Sequence, residues 1–229
     1  MYGPWGKGNG VGCTRRASLL PHRQPTSRDS LSVLARTKGK SHAEWQKIKG
    51  GGALRSLSTP LKLKDIERLK AGDLIKITGE IFTARDQVYA QVLRGKTPPA
   101  DMRNGVVYHC GPLVEKKGLK YEILSAGPTT SSRLDPMQVA FVRRTGVRAI
   151  IGKGGVEEEV AEGLRKAGCI YLAFTGGAGV LAALKIQQVR GVYWKDFGEA
   201  EAFWILNVKD FGPLVVAIDL HGKNLYRKT

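Results

Sequence analysis

The sequence predicts a layered α/β domain preceded by a disordered basic extension, and two observations lead to that prediction. From residue 60 onward, short apolar runs typical of strands alternate with segments of helical spacing. Residues 1–56, by contrast, are rich in Gly, Ser, Arg and Pro and show neither periodicity. The folded domain is therefore assigned to residues 57–229, a length that suits one apolar core.

The predicted helices and strands follow in order along this domain. Apolar residues at helical spacing predict a helix over 61–69, and partial alternation predicts a strand over 74–82. Glu157, Glu158 and Glu159 suit the first turn of a later helix, because negative charge there complements the helix dipole. The other predicted elements are a helix over 87–93, strands over 105–109, 121–125 and 147–151, a helix over 156–166, a strand over 170–174, a helix over 180–188, and strands over 202–208 and 214–219.

The chain carries a formal net charge of +17, and that charge is unevenly distributed. Residues 1–59 hold eleven of the 37 Lys and Arg residues but only two of the 20 Asp and Glu residues. More than half of the positive excess therefore lies in the segment without periodicity. The domain itself is only moderately basic, as an enzyme for small anionic substrates could be, so charge alone does not indicate a nucleic-acid-binding protein.

The cysteines and the hydropathy exclude other classes of protein. Cys13, Cys110 and Cys169 are odd in number and far apart, which argues against a secreted disulfide scaffold and against a metal site with paired-cysteine spacing. No run of about 18 uncharged apolar residues occurs, so no membrane-spanning helix is expected.

Three interpretations of residues 1–56 remain open. Their Arg-rich, acid-poor composition fits a mitochondrial transit peptide, although the first dozen residues could hardly form an amphipathic helix. A basic arm that binds nucleic acid is a second interpretation. The third is a spurious extension: residues 49–52 can be encoded by a G-rich run resembling a ribosome-binding site, which would place the natural start near Leu54.

Glycine-bearing loops follow four predicted strands and contain the residues best suited to chemistry. Lys153 lies in one loop, and Thr129 and Thr130, with Arg133 nearby, lie in another. Backbone N–H groups in such loops can face an anion, an Arg side chain can bind a carboxylate through two hydrogen bonds, and Lys supplies a point charge. His109 adjoins a third loop and is a candidate for lining a pocket. The alternative is that these loops are turns with solvated basic side chains.

Eight motifs carry a resemblance that covers about residues 57–226. The motifs are Leu57-Ser-Thr-Pro, Ala71-Gly-Asp, Ala84-Arg-Asp, His109-Cys-Gly-Pro, Gly127-Pro-Thr-Thr-Ser-Ser-Arg, Gly152-Lys-Gly-Gly, Lys209-Asp-Phe-Gly-Pro-Leu and Ile218-Asp-Leu-His-Gly-Lys-Asn-Leu. In their order and spacing they resemble the β subunit, or C-terminal domain, of the iron–sulfur-dependent class I fumarases and the related tartrate dehydratases. The resemblance implies a swivelling β/β/α domain with a layered mixed sheet that docks on a separate α subunit.

The resemblance also implies site residues. It places substrate-binding roles on Arg85, Thr130 and Arg133, and it makes Thr129 the base toward the substrate C3 proton. Because a Thr hydroxyl is a poor base, a cation must favour its alkoxide, and Lys153 is the candidate for that catalytic role. Asp86 and His109 are added as candidate pocket residues, and no metal ligand is expected in this chain.

The expected function is that of a hydro-lyase subunit. The resemblance implies interconversion of fumarate and L-malate with an α subunit that holds a [4Fe–4S] cluster, since the three cysteines here do not match the cluster ligands. A C4 dicarboxylate is the expected substrate, an α2β2 assembly the expected form and the cytoplasm the expected compartment, or the mitochondrial matrix if residues 1–56 are a transit peptide. An L(+)-tartrate dehydratase β subunit is the close alternative, and a free-standing anion- or nucleic-acid-binding module is a remote one.

Overall fold

A computed structural model describes residues 54–118 and 120–227. The expectations for residues 1–53 therefore lie outside the described residues. The first strand, β1, begins at Arg55, inside the span predicted as an extension. Within the described ranges, no helix is long and apolar enough to cross a membrane.

The predicted alternation of strands and helices is confirmed. The strands are β1 (Arg55–Ser58), β2 (Leu74–Thr83), β3 (Val106–Tyr108), β4 (Leu113–Lys117), β5 (Lys120–Ser125), β6 (Ala149–Gly152), β7 (Ile170–Ala173), β8 (Ile186–Tyr193) and β9 (Phe203–Ile218). The α-helices are α1 (Leu63–Ile66), α2 (Asp86–Leu93), α3 (Asp135–Thr145), α4 (Glu158–Lys166) and α5 (Gly179–Ala183). Short 3-10 helices occupy Ser131–Leu134 and Lys195–Phe197.

Seven strands form one mixed sheet that closes on itself. Their order is β1-β2-β3-β6-β7-β9-β8, and β9 also pairs with β2. Strands β1, β2, β3, β6 and β7 run parallel, whereas β9 runs antiparallel to β2, β7 and β8. The pairings therefore form a ring of five strands: β2, β3, β6, β7 and β9.

Side chains alternate between the two faces of this sheet, as the period of two requires. On β3, Val106 and Tyr108 join one buried cluster, whereas Val107 joins the other. The first cluster also packs against the antiparallel hairpin of β4 and β5, through residues such as Tyr121. The second is covered by α2, α3 and α4, through residues such as Phe141. The result is the layering of hairpin, sheet and helices expected of a β/β/α domain.

Two sequence predictions differ from the structure in the C-terminal half. The predicted helix over 180–188 is wrong beyond residue 183, because α5 ends there and β8 begins at Ile186. Two register shifts in the β8–β9 pairing break the alternation that would have indicated a strand. The two strands predicted over 202–208 and 214–219 are one strand, β9. In its pairing with β2, Phe211 and Leu214 have partners but Pro213 does not, so the proline does not interrupt the strand.

Helix α3 was not predicted from the sequence, although its ends carry recognisable signals. Pro136 occupies its first turn, where a missing N–H costs nothing. Gly146 follows its last residue with a φ of 68°, in the left-handed region that glycine adopts without strain. The Gly146 N–H donates to the Val142 carbonyl at 2.8 Å and so closes the final turn.

Candidate active site

The carboxyl ends of four parallel strands meet at one edge of the sheet. Arg85 follows β2, His109 follows β3, Lys153 follows β6, and the loop of residues 174–178 follows β7. In parallel α/β sheets, both open and closed, ligands bind at the carboxyl ends of the strands. This edge is therefore where the fold gathers the residues that the sequence singles out.

The loop after β5 extends this edge by pairing with the end of β6. Thr130 and Lys153 form an isolated parallel β-bridge. The Ser131 N–H donates to the Lys153 carbonyl at 3.1 Å, and the Lys153 N–H donates to the Thr129 carbonyl at 3.3 Å. On the other side, the Thr129 N–H donates to the His109 carbonyl at 2.7 Å. These bonds hold the threonine pair and the lysine on adjacent backbone.

Arg133 lies in the 3-10 helix that follows this bridge. Its Nη2 lies 3.1 Å from Asp86 Oδ2, at the first residue of α2. The two side chains are 49% and 42% exposed, so this ion pair contributes at most about 1 kcal/mol to stability. Its main effect is to orient the guanidinium at the edge of the sheet.

Arg85 is oriented by a partner that sequence reasoning missed. Its Nη2 lies 3.1 Å from Glu201 Oε1, and its Nη1 donates to the Ala200 carbonyl at 3.4 Å. The second carboxylate oxygen of Glu201 accepts the Gln87 N–H at 3.1 Å, near the start of α2. A β-carbon on Gly111 would lie 2.6 Å from Arg85 Nη1, so the glycine of the His-Cys-Gly-Pro motif leaves room for the guanidinium.

Among the three cationic side chains of the site, Lys153 differs in having no carboxylate partner within the described residues. In residues 54–118 and 120–227, its ammonium group makes no ion pair, unlike Arg85 and Arg133. Its methylene chain passes Gly176, where a β-carbon would lie 3.0 Å from Lys153 Cδ. The loop after β7 therefore guides the side chain while leaving its charge available to an anion.

His109 is fully buried, in contrast to the other candidates. Its Nε2 lies 2.7 Å from the Tyr89 hydroxyl and its Nδ1 lies 2.8 Å from Ser131 Oγ. Burial, and to a smaller extent the charge of Arg133, lowers the pKa of His109 to about 3. The imidazole is consequently neutral at physiological pH and presents no charge to a ligand.

The structure brings six of the seven candidate residues to the surface of this edge. They are Arg85, Asp86, Thr129, Thr130, Arg133 and Lys153. His109 lies within hydrogen-bond reach of the same loops but has no exposed surface. Of the residues that sequence reasoning missed, Ser131 lies inside a quoted motif, whereas Glu201 and Tyr171 give no local signal.

The described residues do not fit an iron–sulfur cluster. Cys110 and Cys169 belong to the two separate buried clusters, on opposite faces of the sheet. Burial raises the pKa of the Cys110 thiol to about 12 and also raises that of Cys169, whereas a metal-binding cysteine is a thiolate. In the part of the chain that the structure describes, no group of three or more His, Cys, Asp or Glu residues could hold a metal ion.

Two guanidiniums, one ammonium and two hydroxyls on neighbouring loops are groups suited to a small carboxylate or a similar anion. Comparison with known proteins makes the class specific. The family described as fumarase C-terminus matches residues 30–229 of this chain. The chain belongs to that family, which confirms the resemblance seen in its motifs.

Individual relatives carry two kinds of name. The L(+)-tartrate dehydratase subunit beta of Escherichia coli (strain K12) is 39% identical over 170 residues, covering 74% of this chain and 85% of the relative. A putative L(+)-tartrate dehydratase subunit beta of Methanocaldococcus jannaschii is 37% identical, covering 73% and 89%. A putative fumarate hydratase class I of Geobacillus stearothermophilus is 39% identical over 75% of this chain, which spans 33% of that longer protein.

Proposed function

We propose that this chain is the β subunit of a hydro-lyase that interconverts fumarate and L-malate, and that it acts only with an α subunit. One observation carries the proposal: the bridge between Thr130 and Lys153 holds the threonine pair on backbone adjacent to a lysine that makes no ion pair within the described residues, in a member of the fumarase family. Because the described residues do not fit a [4Fe–4S] cluster, the proposal assigns the cluster to the α subunit, and no step below depends on it.

Substrate binding falls to the cationic side chains. Arg85 and Arg133, each oriented by a carboxylate, bind the two ends of the C4 dicarboxylate. Their carboxylate partners neutralise part of their charge, so the free ammonium of Lys153 supplies the positive charge that a dianion needs. The Thr130 hydroxyl, which is exposed, adds a hydrogen bond to the bound anion.

The proton transfer falls to Thr129. Its Oγ1 is partly buried and donates to the His109 carbonyl at 3.3 Å, a long bond that is easily exchanged for one to a ligand. In malate dehydration, the Thr129 alkoxide takes the proton from C3 and becomes the hydroxyl, while charge builds up on the adjacent carboxylate. The electron pair of the broken C–H bond then forms the C2–C3 double bond as the C2–O bond breaks and hydroxide leaves. Transfer of the Thr129 proton to that hydroxide gives water and restores the alkoxide. Lys153 favours both the alkoxide and that developing charge. In the hydration direction, the same hydroxyl returns the proton to C3.

A second candidate substrate is L(+)-tartrate, which would be dehydrated to oxaloacetate. The names of the relatives favour it, because two tartrate dehydratase β subunits match this chain over 85% and 89% of their own lengths. Tartrate is also a C4 dicarboxylate, so the same two arginines and the same base would serve both reactions. The hydroxyl that distinguishes tartrate from malate is the group whose contacts decide between them.

A reconstitution assay tests the proposal. The full chain is purified anaerobically, alone and co-expressed with an α subunit of the same family. Fumarate absorbance is followed after addition of malate, and oxaloacetate formation is followed after addition of tartrate. Turnover of malate by the two subunits together, and not by this chain by itself, would support the fumarase assignment. Consumption of tartrate without turnover of malate would replace it with the second candidate. Activity of the chain alone would refute the division of labour between the subunits.

The surface next to the site supports the proposed partner. Val180, Leu181 and Leu184, in and just after α5, are 63%, 65% and 69% exposed, and the first and last of them line a groove of about 600 Å³. Contiguous exposed apolar surface is typical of faces that a partner covers. The helix that carries this surface contacts the site loop, because the carbonyl of Gly179 at the start of α5 accepts the Ala126 N–H at 2.9 Å in the loop leading to Thr129. We therefore assign it to the α subunit.

The assembly and the compartment belong to the same proposal. An α2β2 complex in the cytoplasm is proposed, and it is tested by the mass of the co-purified complex and by cell fractionation. Recovery from the mitochondrial matrix would support the transit-peptide interpretation of residues 1–56. The remote nucleic-acid alternative predicts binding that weakens steeply with salt, whereas a dicarboxylate site should respond less.

A further inference from the structure

Beneath the bridge between Thr130 and Lys153 lies a continuous row of buried hydrogen bonds that the proposed chemistry does not use. The Tyr89 hydroxyl contacts His109 Nε2 at 2.7 Å, and His109 Nδ1 contacts Ser131 Oγ at 2.8 Å. Ser131 Oγ contacts the Tyr171 hydroxyl at 2.9 Å, which in turn lies 2.9 Å from the Gly154 carbonyl. All four side chains are fully buried.

Counting protons assigns a single direction to this row. The Gly154 carbonyl can only accept, so the one proton of the Tyr171 hydroxyl is donated to it. Tyr171 must then accept the Ser131 hydroxyl proton, and Ser131 Oγ must accept from Nδ1–H of His109. A neutral imidazole has only one N–H, so Nε2 is the acceptor of the Tyr89 hydroxyl proton.

We propose that this one-way row is a positioning device, in which Ser131 and Tyr171 hold the Lys153 loop against the Thr129–Thr130 loop and His109 is fixed as the neutral Nδ1–H tautomer. The row begins on α2, passes the end of β3 and the 3-10 helix, crosses β7 and ends on the loop after β6. Only its last bond reaches the main chain next to Lys153. Ser131, Tyr171 and His109 are positioning residues, because they act through the loops and do not touch substrate.

Because the hydrogen bonds of the row all point from Tyr89 toward Gly154, the hydroxyls of Tyr89 and Tyr171 have different roles although both side chains are fully buried. Removing the Tyr171 hydroxyl frees the Gly154 carbonyl and breaks the side-chain link between Ser131 and the lysine loop, so that only the backbone bonds of the bridge remain. Removing the Tyr89 hydroxyl takes a donor from His109 Nε2 but leaves every bond from Nδ1 to Gly154 in place. Tyr171→Phe and Tyr89→Phe each delete one hydroxyl from a fully buried ring, so they form a matched pair.

The tautomer is tested by NMR on the full chain, which contains four histidines. Long-range ¹H–¹⁵N spectra of histidine-labelled protein distinguish protonated from unprotonated ring nitrogens, and His109→Gln identifies the signals of His109. We expect a neutral imidazole with its proton on Nδ1 and no titration between pH 5 and 8. A proton on Nε2, or titration in that range, would overturn the assigned direction. This measurement requires no enzymatic activity, so its result does not depend on the proposed function.

The positioning role is tested by hydrogen exchange. The Lys153 and Ser131 amides are both bonded across the junction of the two loops. We expect Tyr171→Phe and Ser131→Ala to accelerate their exchange at least about ten-fold, while Tyr89→Phe changes it less than about three-fold. Urea unfolding of the two Phe variants provides the control, because a purely structural role would destabilise both and would accelerate exchange equally in both. Equal acceleration would refute the proposal.

The link to catalysis rests on the proposed function and is measured separately in the complex with the α subunit. Small displacements of catalytic groups have large effects on rate, so Tyr171→Phe should lower kcat/KM for the turned-over dicarboxylate about ten-fold and Tyr89→Phe less than about two-fold. If the wild-type complex turned over neither dicarboxylate, the proposed function would be refuted. The positioning role would still be tested by the hydrogen-exchange rates, which do not depend on activity. Equal loss of kcat/KM in both Phe variants would overturn the link to catalysis.

Discussion

Gly152 packs so closely on Ser131 that a methyl group in place of its α-hydrogen would overlap the Ser131 hydroxyl oxygen. The same methyl group would lie 2.7 Å from the Tyr171 hydroxyl. Strand β6 therefore ends on a glycine because the buried hydroxyls beneath the active-site loops occupy the space of a side chain. The Gly152-Lys-Gly-Gly motif is thus explained by packing at its first position and by charge at its second.

Gly152→Ala should destabilise the protein by about 2 kcal/mol, because the added methyl group overpacks a site where neither serine nor tyrosine can move freely. Urea unfolding monitored by tryptophan fluorescence measures the loss. The matched control is Gly127→Ala, whose methyl group would have Gly179 Cα as its nearest neighbour among the described residues, at an ordinary 3.6 Å. Equal stability of the two variants would show that the contact between Gly152 and Ser131 is not restrictive.

Thr129→Ala should lower kcat of the complex about 100-fold or more, because it removes the proposed base toward the C3 proton. KM for the dicarboxylate should change much less, since the cationic side chains remain. Thr129→Ser keeps the hydroxyl and should retain most of the turnover. Steady-state kinetics with the α subunit present measure both variants. Wild-type turnover in Thr129→Ala would exclude Thr129 as the base.

Glu201→Gln should raise KM about five-fold with little change in kcat, because Arg85 loses the charged partner that orients it toward the substrate carboxylate. The effect is measured by saturation kinetics of the reconstituted complex. Glu199→Gln serves as the control, since within the described residues the Glu199 side chain makes no ion pair with Arg85. If both variants raised KM equally, the cause would be general loss of negative charge and not the orientation of Arg85.

The free energy of unfolding should fall as pH decreases, and His109 should account for part of that fall. Its folded pKa is about 3, below the 6.5 of an exposed histidine, so between these values the unfolded chain binds the extra proton. The stability that the neutral His109 contributes is fully present above pH 6.5. About 2 kcal/mol of it is lost between pH 7 and pH 5. Urea unfolding at both pH values should therefore show a smaller loss in His109→Gln. The same loss in both proteins would contradict a neutral, buried imidazole.

Leu181→Glu and Leu184→Glu should weaken binding to the α subunit about ten-fold or more, because each would place a charge in the proposed apolar interface. Binding is measured by titration of the labelled full chain with the α subunit under anaerobic conditions. Leu63→Glu is the control: Leu63 is 41% exposed, and it lies near Gly168, before β7 and away from the carboxyl ends of the strands. Equal weakening by the control would show that the α5 surface is not the contact.

Of the strands that lead into the site, β3, β6 and β7 could be predicted from the sequence because they are short, apolar and almost entirely buried, and β2 because its residues alternate in part. The predicted spans over 74–82, 105–109 and 170–174 match β2, β3 and β7 to within two residues at each end. Buried parallel strands have continuous apolar runs, and glycine loops mark their ends. Lys153 lies at this edge because β6 runs parallel to β3 and β7, whereas Thr129, which follows β5, is held there by the bridge to Lys153.

Tertiary partners could not be predicted in the same way. Arg85 contacts both Glu201 and the preceding residue Ala200, which lies 115 positions further along the chain. No local sequence pattern connects Arg85 with these partners. The buried partners of His109 are Tyr89, on α2, and Ser131, in the 3-10 helix, and no local sequence pattern connects these residues. Strand β8 was missed because its register shifts erase the alternation, while the apolar residues of α5 suggested a longer helix.

The ring of strands has a kinetic consequence. The Asp210 N–H of β9 donates to the Thr78 hydroxyl of β2 at 3.0 Å, across 132 positions of sequence. Contacts so distant in sequence slow folding, because the entropy of closing a long loop is lost before the contacts form. During synthesis from the N-terminus, β2, β3, β6 and β7 emerge first and keep an open edge until β9 arrives. A nascent chain therefore has its lysine and threonine loops translated well before it has a closed sheet to hold them.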